Sequence, residues 1–278
     1  MLGKLLKYEF KASSKLFLIM YAAILVVALL NVATAPMTQF IDNGGAGGVV
    51  IAIIKGVVMM GYVLLMIGTP ILTIVIIISR FYKNLMGDEG YLMFTLPVSA
   101  DQHILSKFIA ALVWSVVSAA VMFISLIISV MRLDLGEMFQ TVINAANEAG
   151  INLPLVVICV LITVLIYFTT SIMMFYTAMA IGPNLTKNRL LGSFLAYLIV
   201  YAAVQVVSLI SIFGVGYAGL FKQIEYANTV TMTTETVFNE VSSLFTTMFF
   251  YVNILNLITI VGCYIVTRYF VKNKLNLS

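Results

Sequence analysis

Residues 56–79 read GVVMMGYVLLMIGTPILTIVIIIS, an unbroken run of 24 positions without a charged side chain. At about 1.5 Å of rise per residue, such a run coiled as a helix covers the ~30 Å hydrocarbon core of a bilayer. Hydrocarbon offers no partner to backbone N–H and C=O groups, so the run must satisfy them internally as a helix. Working outward, similar runs fall at 16–36, 108–131, 154–181, 193–221 and 246–267. Across the 278 residues, 62% are hydrophobic and only 9% charged, and the mean hydropathy is +1.11. A water-exposed chain carries roughly 25% charged residues, so lipid must surround most of this one. The expected fold is all-α: a polytopic membrane protein of six transmembrane helices.

Of the 15 lysines and arginines, all but Lys55, Arg132 and Lys222 lie in 1–15, 80–107, 182–192 and 268–278. That asymmetry predicts that both termini and the 80–107 loop are cytoplasmic. It also accounts for the net charge of +4 without a nucleic-acid partner. Lys4, Lys7, Lys11 and Lys15 before an apolar run, with Ala33-Thr34-Ala35 after it, imitate a signal peptide. The run is too long for that and Pro36 follows, so an uncleaved first span is expected. Cys159 and Cys263 fall inside spans and read as free thiols.

The inventory for catalysis is thin. There is one histidine, His103, so neither HExxH nor a paired-histidine metal site exists. No aspartates face each other in spans, and no G-x-x-x-x-G-K-[ST] loop occurs. The expectation is a non-catalytic membrane subunit with no metal or cofactor of its own. Intramembrane charges that mark proton relays and voltage sensors are missing from the span centres. Polar candidates for a pathway, or for bonds between helices, are Thr69, Thr73, Gln205, Asn253 and Asn256.

Between the spans, residues 2–15 wind into an amphipathic helix, with Lys4, Lys7, Lys11 and Lys15 in one arc and Leu2, Leu5, Leu6 and Phe10 opposite. The expectation is an interfacial helix whose lysines meet anionic headgroups. Glu9 sits in the middle of the apolar face, where it either reaches water or a local lysine, or touches a neighbouring cytoplasmic element. In 80–107, Asp88 is a good N-cap, Glu89 favours the helix dipole, and Tyr91–Leu96 is apolar but too short to span. Pro97 closes that element, and Ser99 with Gln102 forms a capping box opening the third span. A short capped helix at the cytoplasmic surface reads either as a seal or as a docking element, with Tyr91 and Phe94 as aromatic anchors. The outer segment 132–153 carries Leu135, Met138, Phe139, Val142, Ile143 and Ala146 on one helical face. Glycine-rich 214–219 and the outer loop 222–245 leave 213–245 open to a partly re-entrant reading.

Two stretches carry a family resemblance. Leu5-Leu6-Lys7-Tyr8-Glu9-Phe10-Lys11 before a first span resembles the start of permease subunits of bacterial type-2 ABC exporters, particularly those of Gram-positive Firmicutes. Glu89-Gly90-Tyr91-Leu92-Met93-Phe94-Thr95-Leu96-Pro97-Val98-Ser99, followed by Ser106-Lys107, resembles the loop between that family's second and third spans. The resemblance implies a single permease domain over 1–278 in the bacterial cytoplasmic membrane, paired with an identical or sister subunit. It implies separate ATPase subunits, which carry ATP and Mg, docking on a coupling helix at 88–97 through Asp88, Glu89, Gly90, Tyr91, Phe94, Leu96 and Pro97. The interfacial helix would include Lys4, Lys7, Glu9, Phe10 and Lys11. The alternatives are an ATPase-independent secondary transporter or channel, or a membrane anchor such as an immunity component.

Overall fold

The computed structural model describes residues 2–34, 36–37, 46–83, 100–130, 135–148, 152–186, 188–227 and 234–273. They form seven α-helices: α1 Leu2–Thr34, α2 Ala46–Phe81, α3 Ala100–Val130, α4 Leu135–Glu148, α5 Leu153–Ile181, α6 Arg189–Ala227 and α7 Thr234–Asn273. Among the described residues there is no strand. Every helix except α4 is long and apolar enough to cross a membrane, giving six candidate spans. The chain is an all-α, multi-pass membrane protein.

The helices divide into two compact units. The first holds α1 to α4 and α5 as far as Ile162; the second holds α5 from Thr163, α6 and α7. In the first unit α1 packs most extensively on α3 and less on α2. Glu9 meets Lys107 and Asn31 meets Ser129, each pair 98 residues apart, so α1 and α3 run parallel in constant register. Between them the Tyr21 hydroxyl lies 2.7 Å from Ser118 Oγ. α2 returns antiparallel, with Thr73 bonded to Ser118 and Tyr62 to Ser125. Lipid tails are as apolar as leucine, so such helices are held by close packing and interhelical hydrogen bonds. The buried residues of α1 are Glu9, Ser13, Phe17, Met20, Tyr21, Ile24 and Ala28, a stripe at steps of three or four.

That stripe modifies the reading of residues 2–15. The segment is helical as expected, but it continues into the first span without a break instead of forming a separate element. No proline or glycine interrupts 4–34, and the packed face already begins at Glu9. In the stretch 213–245, residues 214–227 continue α6 and 234–245 open α7. Glycine costs a helix about 1 kcal/mol per residue. An unsatisfied backbone group in an apolar medium costs several, so the helix prevails. α4 forms where the amphipathic pattern predicted it: Ala146 is buried, and Phe139, Val142 and Ile143 face Leu153, Val157 and Ile158 across a cleft.

The second unit repeats the logic of the first. Thr163 bonds Asn253 and Thr177 bonds Thr267, each pair 90 residues apart, so α5 and α7 are parallel. Thr177 Oγ1 also lies 3.0 Å from the Cys263 carbonyl. Neither Cys159 nor Cys263 forms a disulfide. Phe175 stacks on Tyr197 with centroids 4.7 Å apart, joining α5 to the antiparallel α6.

The α5–α6 connection passes through a 3-10 turn, Gly182–Asn184, pressed against the start of α6. A Cβ at Gly192 would strike the Gly182 carbonyl oxygen, and one at Gly182 would strike the backbone of Ser193. Backbone cannot rotate aside as a side chain can. Gly192→Ala is therefore expected to cost about 1–3 kcal/mol, the usual range for overpacking. Gly56→Ala, where a Cβ meets nothing within 4 Å, is expected to cost nothing. Thermal midpoints of both variants in detergent check this; equal midpoints would refute the close approach.

Candidate functional site

The sequence puts one carboxylate on the apolar face of α1, and the register of three helices decides what it meets. Lys107 lies in the third turn of α3 and Arg80 in the last turn of α2. Lys107 Nζ donates to Glu9 Oε1 at 2.5 Å, and Arg80 Nη1 lies 3.7 Å from Glu9 Oε2. The other Arg80 amino group donates to the Ala12 carbonyl, tying α2 to α1 a second time. Glu9 is 9% and Lys107 4% exposed, so the closer pair is shielded from water. Arg80 is half-buried and its salt bridge is longer.

An aromatic floor lies directly beneath. Trp114 Nε1 donates to Ser13 Oγ at 2.9 Å, and Ser13 donates to the Glu9 carbonyl at 2.6 Å. Trp114 stacks on Phe17 with centroids 4.4 Å apart and meets Phe10 at 6.0 Å. His103 and Ser106 are buried on α3 beside the cluster, Ser106 donating to the His103 carbonyl. Glu9 and Asn31 are separated by about 33 Å of helix, close to the ~30 Å hydrocarbon thickness. The ion cluster therefore sits where hydrocarbon gives way to headgroups.

Among the described residues the cluster brings two cations to one carboxylate. Taking ions out of water is costly, and the cost is offset only when each finds a well-placed partner. Among the described residues no group of three or more His, Cys, Asp or Glu side chains is placed to hold a metal ion. Arg80 and Lys107 bound the 80–107 segment, and both are fastened to α1.

Of the sequence-derived interfacial residues, Lys4, Lys7 and Lys11 are exposed, Phe10 packs on Trp114, and Glu9 is buried. The two readings of Glu9 are thus resolved in favour of contact with neighbouring elements. The docking residues Asp88, Glu89, Gly90, Tyr91, Phe94, Leu96 and Pro97 lie outside the described residues. Thr73 and Asn253 bond between helices, Thr69 bonds back to the Leu65 carbonyl, Gln205 is exposed and Asn256 is half-buried. Sequence reading counted Arg80 and Lys107 only as topology charges. The missed signal was that Lys107 shares a helical face with Ile104 and Ala111, which made it a partner for a carboxylate stranded on α1. Comparison with protein-family models, with curated proteins and with solved structures found no match.

Removing one member of a buried ion pair typically costs 3–5 kcal/mol, while replacing both by apolar groups is often near neutral (about 0–1 kcal/mol). Glu9→Leu and Lys107→Met are each expected to destabilise the protein strongly, and the double variant to recover most of the loss. Reversible denaturant unfolding in mixed micelles, run as a double-mutant cycle, reads the coupling. Additive losses would mean that the pair is incidental.

Proposed function

We propose that this chain is the membrane-spanning permease subunit of an ATP-binding-cassette exporter, working with an identical or sister subunit and driven by separate ATPases. One observation carries the reading: both ends of the 80–107 segment are fastened to a single carboxylate on α1 through Lys107 and Arg80. A load applied to that segment is delivered to three helices together. The resemblance of 89–99 to a coupling loop gives the load a source, namely ATPases closing beneath it. The lysine and arginine distribution supports a bacterial cytoplasmic membrane with both termini and this segment facing the cytoplasm.

In this reading α1, α2 and α3 receive the stroke, and the polar contacts along the α1–α3 seam keep the parallel pair in register as it moves. Such a transition exchanges two packings, with no chemistry on this chain. ATP and Mg stay with the partner. The membrane lipid is the other constant neighbour.

The test is the double substitution Glu89→Lys with Phe94→Asp in the tagged protein. Recovery of the co-purifying ATPase is expected to fall at least about tenfold, because aromatic anchors often contribute 2 kcal/mol or more to such contacts. ATP-dependent export should fall with it. Full recovery and undiminished transport would defeat the proposal and favour a transporter or channel that needs no ATPase.

A further inference from the structure

The second unit carries a polar aromatic face at a depth where such groups are costly. Tyr167 lies near the midpoint of the span 153–184, and Tyr201 lies twelve residues, about 18 Å of helix, beyond the start of α6 at Arg189. Tyr197, Tyr201 and Gln205 are spaced four apart on α6 and share one face. Phe175 stacks on Tyr197 at an interplanar angle of 6°, and Tyr197 stacks on Tyr201 at 6.0 Å and 22°. The phenols of Tyr167 and Tyr201 lie within electrostatic reach of that of Tyr197.

These groups are not sealed. Tyr167 is 63% and Tyr201 45% exposed, and Gln205 is exposed. Among the described residues no hydrogen bond is made by the side chains of Tyr167, Tyr201 or Gln205. Tyrosine favours the membrane–water boundary, and an amide or hydroxyl turned into hydrocarbon costs several kcal/mol. Two phenols and an amide gathered at mid-depth therefore indicate water or cargo in contact with them.

We infer that Tyr167, Tyr197, Tyr201 and Gln205 line the solvent-accessible transport pathway at mid-membrane, and that its cargo is a hydrophobic organic cation. The inference rests on the exporter reading for its direction of transport, and on this face alone for its chemistry. Stacked rings present electron-rich faces to a flat or bulky apolar body carrying positive charge. Phenol and amide oxygens accept from its polar groups. Neither 153–186 nor 190–221 contains a lysine, arginine, aspartate or glutamate, so nothing charged on these segments competes for the cargo or repels it. A hydrophobic anion meets the same faces unfavourably.

The experiment uses the full chain with Cys159→Ala and Cys263→Ala, reconstituted in phosphatidylethanolamine–phosphatidylglycerol vesicles. Gln205→Cys and, separately, Tyr201→Cys are exposed to a water-soluble cationic methanethiosulfonate, with Lys83→Cys as the water-exposed control. Either thiol is expected to react within about tenfold of the control rate, and tetraphenylphosphonium is expected to slow it by about tenfold, the scale of a desolvated cation–π contact. Failure of both thiols to react, while a lipid-soluble maleimide labels them, would overturn the pathway. Equal protection by tetraphenylborate would overturn the cationic cargo. Labelling needs no ATPase, so a reactive, protected thiol in a chain that recruits none sustains this inference while defeating the exporter reading. Unreactive thiols in a chain that does recruit ATPases do the reverse.

Discussion

A carboxylate at the edge of the hydrocarbon cannot be left alone, and the first unit is arranged around that constraint. Glu9 lies on the packed stripe of α1 and is largely shielded from water. Its charge must be met by neighbouring helices, and Lys107 and Arg80 meet it from α3 and α2. Three helices are thereby pinned at one level. Below that level weaker contacts suffice: Ser13 with Trp114, Tyr21 with Ser118, Thr73 with Ser118 and Asn31 with Ser129. Such interhelical hydrogen bonds average only about 0.6 kcal/mol in a membrane, whereas removing one partner of a buried ion pair costs about 3–5 kcal/mol.

The two units share a pattern. In each, a pair of parallel helices is held in constant register, α1 with α3 by an offset of 98 and α5 with α7 by 90. In each, the intervening helix returns antiparallel. The polar residues on the seams are serine, threonine and asparagine, which bond across a helix pair and, for serine and threonine, back to their own backbone, as Thr73 does to Thr69 and Thr267 to Cys263. Small hydroxyl residues let the backbones approach without leaving a polar atom unsatisfied. The units differ at their ends. The first closes on an ion cluster, the second on a turn in which Gly182 and Gly192 pass backbone against backbone.

The six spans and the all-α class were legible because uncharged runs of membrane length admit no other structure. The outer helix was legible because Phe139, Val142, Ile143 and Ala146 recur at helical spacing. The first-unit site was half legible: Glu9 stood out as a carboxylate on an apolar face, but which cation meets it depends on the relative register of α1, α2 and α3. No periodicity along one helix contains that information. The glycines at 214–219 do not interrupt α6, because helix propensity measured in water understates how strongly an apolar medium favours closed backbone hydrogen bonds. Tyr167 and Tyr201 were passed over as ordinary aromatic residues. Only the stacking of Tyr197 on Phe175 and on Tyr201 marks this face as a cluster.

Stiffness and exposure are divided unevenly across the first unit. A displacement of the 80–107 segment dissipates if its two ends move independently. Glu9 prevents that by holding Lys107 tightly and Arg80 more loosely, at 2.5 and 3.7 Å. The short bond lies beside a helix pair already tied along its length, whereas the long one joins α2, whose span is only 6% buried against 28% for α1. Arg80 adds a second tie by donating to the Ala12 carbonyl, so α2 as well as α3 is fastened to α1 at this level.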